Sequence, residues 1–162
     1  MSFTIQITPT ADWVKVSLIG IINEDAEESL LKVAPSLGRN VIVNFKGVES
    51  INSCGVNAWL KFMRELGKGR SVIFEECTPE IVSQFNMTPL FRGSALINSV
   101  YADYACPGCG HSQSHFFVRG KNLPASASDE AENVNCEKCG KKTEMEEIEE
   151  DFFAWIYGCR ED

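Results

Sequence analysis

Two short cysteine units, Cys106-Pro107-Gly108-Cys109-Gly110 and Cys136-Glu137-Lys138-Cys139-Gly140, restrict what this chain can become more than any other feature. Two residues between cysteines let both sulfurs of a pair reach one ion. The glycine that follows each pair permits the tight turn of a metal knuckle. Together Cys106, Cys109, Cys136 and Cys139 supply four thiolates, the donor set of a structural Zn2+ site with no open position. The 26 residues between the pairs exceed the common finger spacings. A ribbon tolerates such an insertion, because closure entropy grows slowly with loop length. Within it, Arg119 to Ser128 is loop-like, rich in small and turn-forming residues. A c-type haem attachment would need histidine directly after the second cysteine, but Gly110 precedes His111. A thioredoxin-like redox pair would be a single C-x-x-C unit, while an iron–sulfur centre held by the same four cysteines stays open as an alternative. His111 and His115 read as ordinary residues of the ribbon, and Cys77 and Cys159 as small apolar residues.

The hundred residues before the first cysteine pair carry a different pattern. Phe3, Ile5 and Ile7 alternate with polar residues, and Trp13, Val14, Val16, Leu18 and Ile19 follow a Thr8–Asp12 break. This predicts an N-terminal hairpin ending near Gly20. Asn23-Glu24-Asp25 offers a cap and acids for a helix over Leu30, Leu31, Ala34 and Leu37, closed by Gly38. Val41 to Phe45 is a β-branched apolar run bounded by Asn40 and Gly47, which predicts a buried strand. The chain then reaches Asn52-Ser53-Cys54-Gly55, where Asn or Ser can accept hydrogen bonds from the free N–H groups of a helix start. Val56, Trp59, Leu60, Met63 and Leu66 give the following helix one apolar face. Ala58 and Phe62 fall off that face, which makes Phe62 a candidate contact residue. Ser71 to Phe74 predicts another strand. Thr78-Pro79-Glu80 starts a helix with Ile81, Val82 and Phe85 inward, and Ala95 to Ala105 a further extended segment. The order implies an α/β fold with a small, mainly parallel sheet packed with helices.

Charge separates the two parts. Residues 1–99 hold nine Lys/Arg and ten Asp/Glu, whereas residues 100–162 hold six and thirteen. An acidic second part repels phosphate backbones, so a nucleic-acid-associated ribbon is disfavoured as the role. The run Glu144 to Asp151 reads as a solvated face. Thr143 to Ile148 alternates enough for an edge strand, and acids at Glu149 to Asp151 suit a short helix carrying Phe152, Phe153, Trp155, Ile156 and Tyr157. A small ribbon has little core of its own. These aromatics are therefore expected to pack on the ribbon or on the first domain. The alternative is an exposed patch that recruits a partner or a second copy. The start of the chain lacks a signal peptide's basic n-region and apolar run, and no stretch reaches transmembrane length. A cytoplasmic protein with reduced cysteines is expected.

The stretch Val41 to Val56 and the order of elements around it resemble the STAS domain of bacterial anti-sigma factor antagonists, over roughly residues 3–100. In that family a strand ends in an Asp-Ser-Ser-Gly-like turn before a helix, and the first serine of the turn is phosphorylated. Here Asn52-Ser53-Cys54-Gly55 occupies the turn, so Ser53 falls on the phosphorylated position. Asn52 replaces the usual Asp and Cys54 the usual second Ser. The resemblance implies a non-enzymatic regulatory protein: a STAS-like domain at 1–99, then a zinc-ribbon module at 100–162. It implies partner binding through Asn52, Ser53, Cys54 and Phe62, in many members to a serine kinase that also restrains a sigma factor. Two further roles are expected alternatives: a constitutive scaffold without the switch, and nucleic-acid association through the ribbon. No Ser/His/Asp set, phosphate-cradling loop or open metal site suggests an enzyme.

Overall fold

The structure, a computed structural model, describes residues 2–157. A five-stranded sheet forms the first layer: β1 (Thr4–Pro9), β2 (Val14–Ile22), β3 (Asn40–Ile51), β4 (Ser71–Glu75) and β5 (Leu96–Ile97), side by side in that order. β1 and β2 form the antiparallel hairpin, and every later pairing is parallel. The helices are α1 (Ala26–Val33, extended by a 3-10 turn at Ala34–Ser36), α2 (Ser53–Leu66), α3 (Pro79–Met87) and α4 (Pro89–Arg92).

Alternate residues of the central strands are buried beneath these helices: Val16 and Leu18, Val41, Val43 and Phe45, Val72 and Phe74. The period of two places each set on one face. Phe45, Trp59, Phe62, Phe74, Phe85 and Phe91 interlock there, with ring centroids 5.0 to 6.1 Å apart. The indole N–H of Trp59 donates to the Phe91 carbonyl at 2.9 Å, so its burial leaves no polar group unsatisfied. Arg70 gathers the helix ends by donating to the carbonyls of Ala34, Leu37, Gly38 and Glu65.

Three expectations need correction. The buried stripe of α2 runs through Gly55, Ala58, Trp59, Phe62, Met63 and Leu66, while Val56 and Leu60 are only half-buried at its edges. The steps of three and four select this stripe equally well, and the bulkier aromatic takes the centre. Phe62 is therefore fully enclosed and offers nothing to a partner in this conformation. β2 and β3 also run on through Gly20 and Gly47, read above as strand ends, because register shifts between Ser17 and Ile19 and between Gly20 and Ile21 absorb the irregularity.

The second sheet holds β6 (Ser99–Ala105), β7 (Ser112–Val118) and β8 (Glu144–Met145), antiparallel in the order β7-β6-β8. β7 has little apolar patterning, and the sequence pattern does not predict it. The two sheets meet without a linker. Glu76, at φ 51°, turns the chain after β4, and the Ser99 hydroxyl accepts its N–H at 2.7 Å. Cys77 then bonds to β6 through Ser99 and Tyr101. Two short helices close the described chain, α5 (Glu149–Phe152) and α6 (Ala154–Tyr157). Their aromatics pack as expected: Phe153 meets Phe117 of β7 at 5.4 Å, and Trp155 meets Phe85 of α3 at 5.6 Å. Asn86 of α3 bonds both Phe152 and Trp155 backbones. The tail thus ties the second sheet to the first.

Candidate functional site

Both cysteine units fold as matched knuckles. In the first, the Gly110 N–H donates to the Cys106 carbonyl at 2.9 Å, and the Cys106 N–H to the His111 carbonyl at 2.9 Å. In the second, Gly140 donates to Cys136 at 2.9 Å and Cys136 to Lys141 at 2.7 Å. Gly110 and Gly140 sit at φ 75° and 77°, in the left-handed region where a side chain would be strained. Each knuckle contributes one buried cysteine, Cys106 or Cys136, and one exposed, Cys109 or Cys139.

The four sulfurs lie within 4.8 Å of one another and could hold a metal ion. Cys106 faces Cys139 at 3.4 Å, and Cys109 faces Cys136 at 3.6 Å. A tetrahedron with metal–sulfur bonds of about 2.3 Å has edges of roughly 3.8 Å, so the spacing fits a four-thiolate site. It is far beyond the ~2.05 Å of a disulfide. The Cys109 N–H, ahead of other knuckle donors, holds the Cys106 thiol down to about 6 against the effect of desolvation. Cys136 is lowered the same way, first by the Cys139 N–H. Cys139 ends up at about 11: the Lys141 N–H lowers it, but the Cys106 sulfur beside it and desolvation raise it further. Adjacent sulfurs resist being charged together, and a cation between them removes that conflict.

Neither histidine joins the cluster. His115 Nε2 lies 2.7 Å from Glu132 Oε1, which also accepts from Asn122, and His111 Nε2 lies 3.8 Å from Glu137. Cys77 is fully buried, and desolvation pushes its thiol well up. Cys159 lies outside the described residues.

A second candidate is the start of α2. Asn52, not Ser53, is the cap: its Oδ1 accepts the Gly55 N–H at 2.7 Å. Its Nδ2 donates to Glu24 Oε2 at 3.3 Å, at the entry to α1. Glu24's carboxyl is held below its usual value, first by a backbone N–H at Glu24 itself and then by Asn52. An aspartate at 52 could cap but not donate to Glu24. Asn52→Ala should lower stability by about 1 kcal/mol in chemical denaturation, whereas Asn52→Asp, which keeps the capping oxygen, should cost less.

Ser53 is the first residue of the helix, exposed, and its hydroxyl has no hydrogen-bond partner among the described residues. Cys54 beside it is exposed too, and Gly55 is buried against the end of β2. The structure thus brings Asn52, Ser53 and Cys54 together on one surface and leaves Phe62 beneath it. The sequence reading missed Glu24 as part of this surface. It sat among residues read as a helix start, and nothing local signals its bond to Asn52.

The family model described as the STAS domain matches residues 11–102. No curated protein matches the chain. Among solved structures, the anti-sigma factor antagonist SpoIIAA in its unphosphorylated form is similar at 22% identity and TM-score 0.46, covering 59% of this chain and 87% of that one. An anti-sigma factor antagonist from Mycobacterium paratuberculosis is similar at 18% identity and TM-score 0.49, covering 59% and 86%. The Bacillus cell fate determinant SpoIIAA in its phosphorylated form gives 20% identity and TM-score 0.43, covering 59% and 90%.

Proposed function

The chain belongs to the STAS domain family, and from that premise we propose a non-enzymatic, cytoplasmic regulatory adaptor of two modules. Residues 1–99 bind a protein partner through the start of α2, and residues 100–162 form a ribbon around structural Zn2+. The observation that carries the switch is the division of labour at the turn. Asn52 satisfies the helix end, which leaves the exposed Ser53 hydroxyl uncommitted among the described residues. A phosphate there would meet first-turn N–H groups and the positive end of the helix dipole, so the domain can carry it without unfolding. It would also add nearly two negative charges to the binding surface.

By family resemblance the partner class is a serine kinase of the anti-sigma type, released when its own product charge enters the interface. Ser53→Asp is expected to weaken partner binding at least tenfold and leave Tm nearly unchanged, read by titration calorimetry and thermal unfolding. Phosphopeptide mapping of protein recovered from its native cells should place phosphate on Ser53. A Ser53 unmodified under every growth condition, with partner affinity indifferent to Ser53→Asp, would remove the switch. That outcome would favour the second reading, a constitutive scaffold. One observation supports it: Asn52 stands where the family often has an aspartate and its amide is engaged by Glu24, so a kinase that requires a carboxylate at position 52 meets an amide there.

Zn2+ is supported by the donor chemistry, since four thiolates and no oxygen or open position suit a structural zinc site. Cys106, Cys109, Cys136 and Cys139 would hold the ion, which when bound supplies only a cross-link and charge balance.

A further inference from the structure

Two arginines far apart in sequence share one cavity where the sheets meet. Arg92 ends α4, and Arg119 follows β7. The cavity measures about 400 Å³, and Leu123, Pro124, Trp155 and Ile156 are among its other walls. That volume lies within the usual range for small-molecule pockets, roughly 300–1,000 Å³, which often form between domains.

Arg92 is fixed in place. Its Nε donates to the Ala95 carbonyl at 3.2 Å and its Nη1 to the Trp155 carbonyl at 3.3 Å. Its Cζ lies 5.3 Å from the centre of the Trp155 ring. These bonds use two of the five N–H groups a guanidinium carries and leave Nη2 without a partner among the described residues. The Trp155 indole N–H is buried and likewise has no partner among them. The Arg119 side chain is exposed and makes no hydrogen bond or ion pair among the described residues. No described carboxylate pairs with either arginine, although the chain has 23 acids against 15 bases. Burial, and then repulsion from Arg119, lower the pKa of Arg92. Among the described residues, two cations line one cavity and no carboxylate answers either of them.

We propose that this cavity binds a small organic oxyanion, a carboxylate or phosphate borne on a flat apolar body. Arg92 and Arg119 grip the oxyanion from two sides, with the planar fork geometry suited to such groups. Trp155, Leu123 and Pro124 hold the apolar body. Arg92 is pre-set by its carbonyl bonds and the indole, so binding need order only Arg119. Because the walls come from both modules and the C-terminal helix, the ligand would also brace the junction.

The test is a titration of the full chain, metal retained, with phenyl phosphate, benzoate and inorganic phosphate, followed by amide and indole NMR signals. Saturable shifts at Arg119, Gly120 and the Trp155 indole are expected with phenyl phosphate or benzoate, and weaker binding with inorganic phosphate. The stronger of the two aromatic probes identifies the oxyanion. Arg119→Glu, at an exposed side chain without polar contacts among the described residues, should keep the fold and weaken binding at least tenfold. Three results would overturn the proposal: no saturation at millimolar probe, equal affinity in Arg119→Glu, or inorganic phosphate binding as tightly as both aromatic probes.

Discussion

Cys136→Ser, or removal of the metal by a chelator, is expected to unfold the second sheet and loosen its seam with the first. The sheet has strands of only seven, seven and two residues. Its inner residues, Val100, Ala102, Tyr104 and Phe117, even with Val134 of the adjoining loop, are too few to form an independent core. The binding free energy of a structural zinc site, about 10–16 kcal/mol, is in such modules folding free energy. Losing one of four thiolates forfeits most of it. Val134 and Thr143 flank the second knuckle, and Thr143 bonds the Val134 carbonyl through both its N–H and its hydroxyl. Release of the knuckle therefore frees β8 as well. Amide hydrogen exchange should show protection lost over 100–118 and 134–145, and kept in β2 and β3. The first domain should still lose several degrees of Tm, because Phe153 would no longer be held against Phe117 or Trp155 against Phe85. Unchanged protection across the second sheet after complete metal removal would mean that the knuckles hold without the ion.

Gly55→Ala is the second large effect, and its sign is the useful part. On an ordinary helix the change is favourable by roughly 1 kcal/mol. Here the new Cβ would lie 2.0 Å from the Ile22 carbonyl oxygen and 2.6 Å from its carbon. Backbone stands on both sides of that contact. The Asn52 N–H already donates to the same Ile22 oxygen at 3.2 Å, so the helix start cannot slide away without losing a bond. The expected cost is about 3 kcal/mol or more, read as a lower denaturant midpoint. Partner binding should fall with it, because displacing α2 moves Ser53, whereas Ser53→Asp acts on binding alone. A neutral or stabilising Gly55→Ala would show that α2 does not rest on β2.

What the sequence showed of this fold follows from how local each signal is. The hairpin, the β3 strand, the Pro79 helix start and the cysteine knuckles are written in adjacent residues, through period-two patterning, turn chemistry and fixed spacing. The extension of strands through Gly20 and Gly47 was hidden, because glycine punctuates a chain as often as it permits a bulge. Ser112 to Val118 is half polar and becomes a strand only by pairing with β6. The rotation of the α2 stripe, which encloses Phe62, depended on which neighbours met it: Trp59 lies 5.1 Å from Phe62 and stacks on Phe91. The same limit applied to Arg92 with Arg119 and to Glu24 with Asn52. Each pair is joined only by tertiary packing, and neither member carries a local mark of its partner.

The central claim is that the start of α2 binds a partner under the control of charge at Ser53. Its most direct test is quantitative affinity capture from native cell extract with three baits: the wild-type chain, Ser53→Ala and Ser53→Asp. A protein kinase or sigma-regulatory protein retained by the first two and lost from the third is the predicted result. The same partners in equal amounts on all three baits would contradict a switch at Ser53.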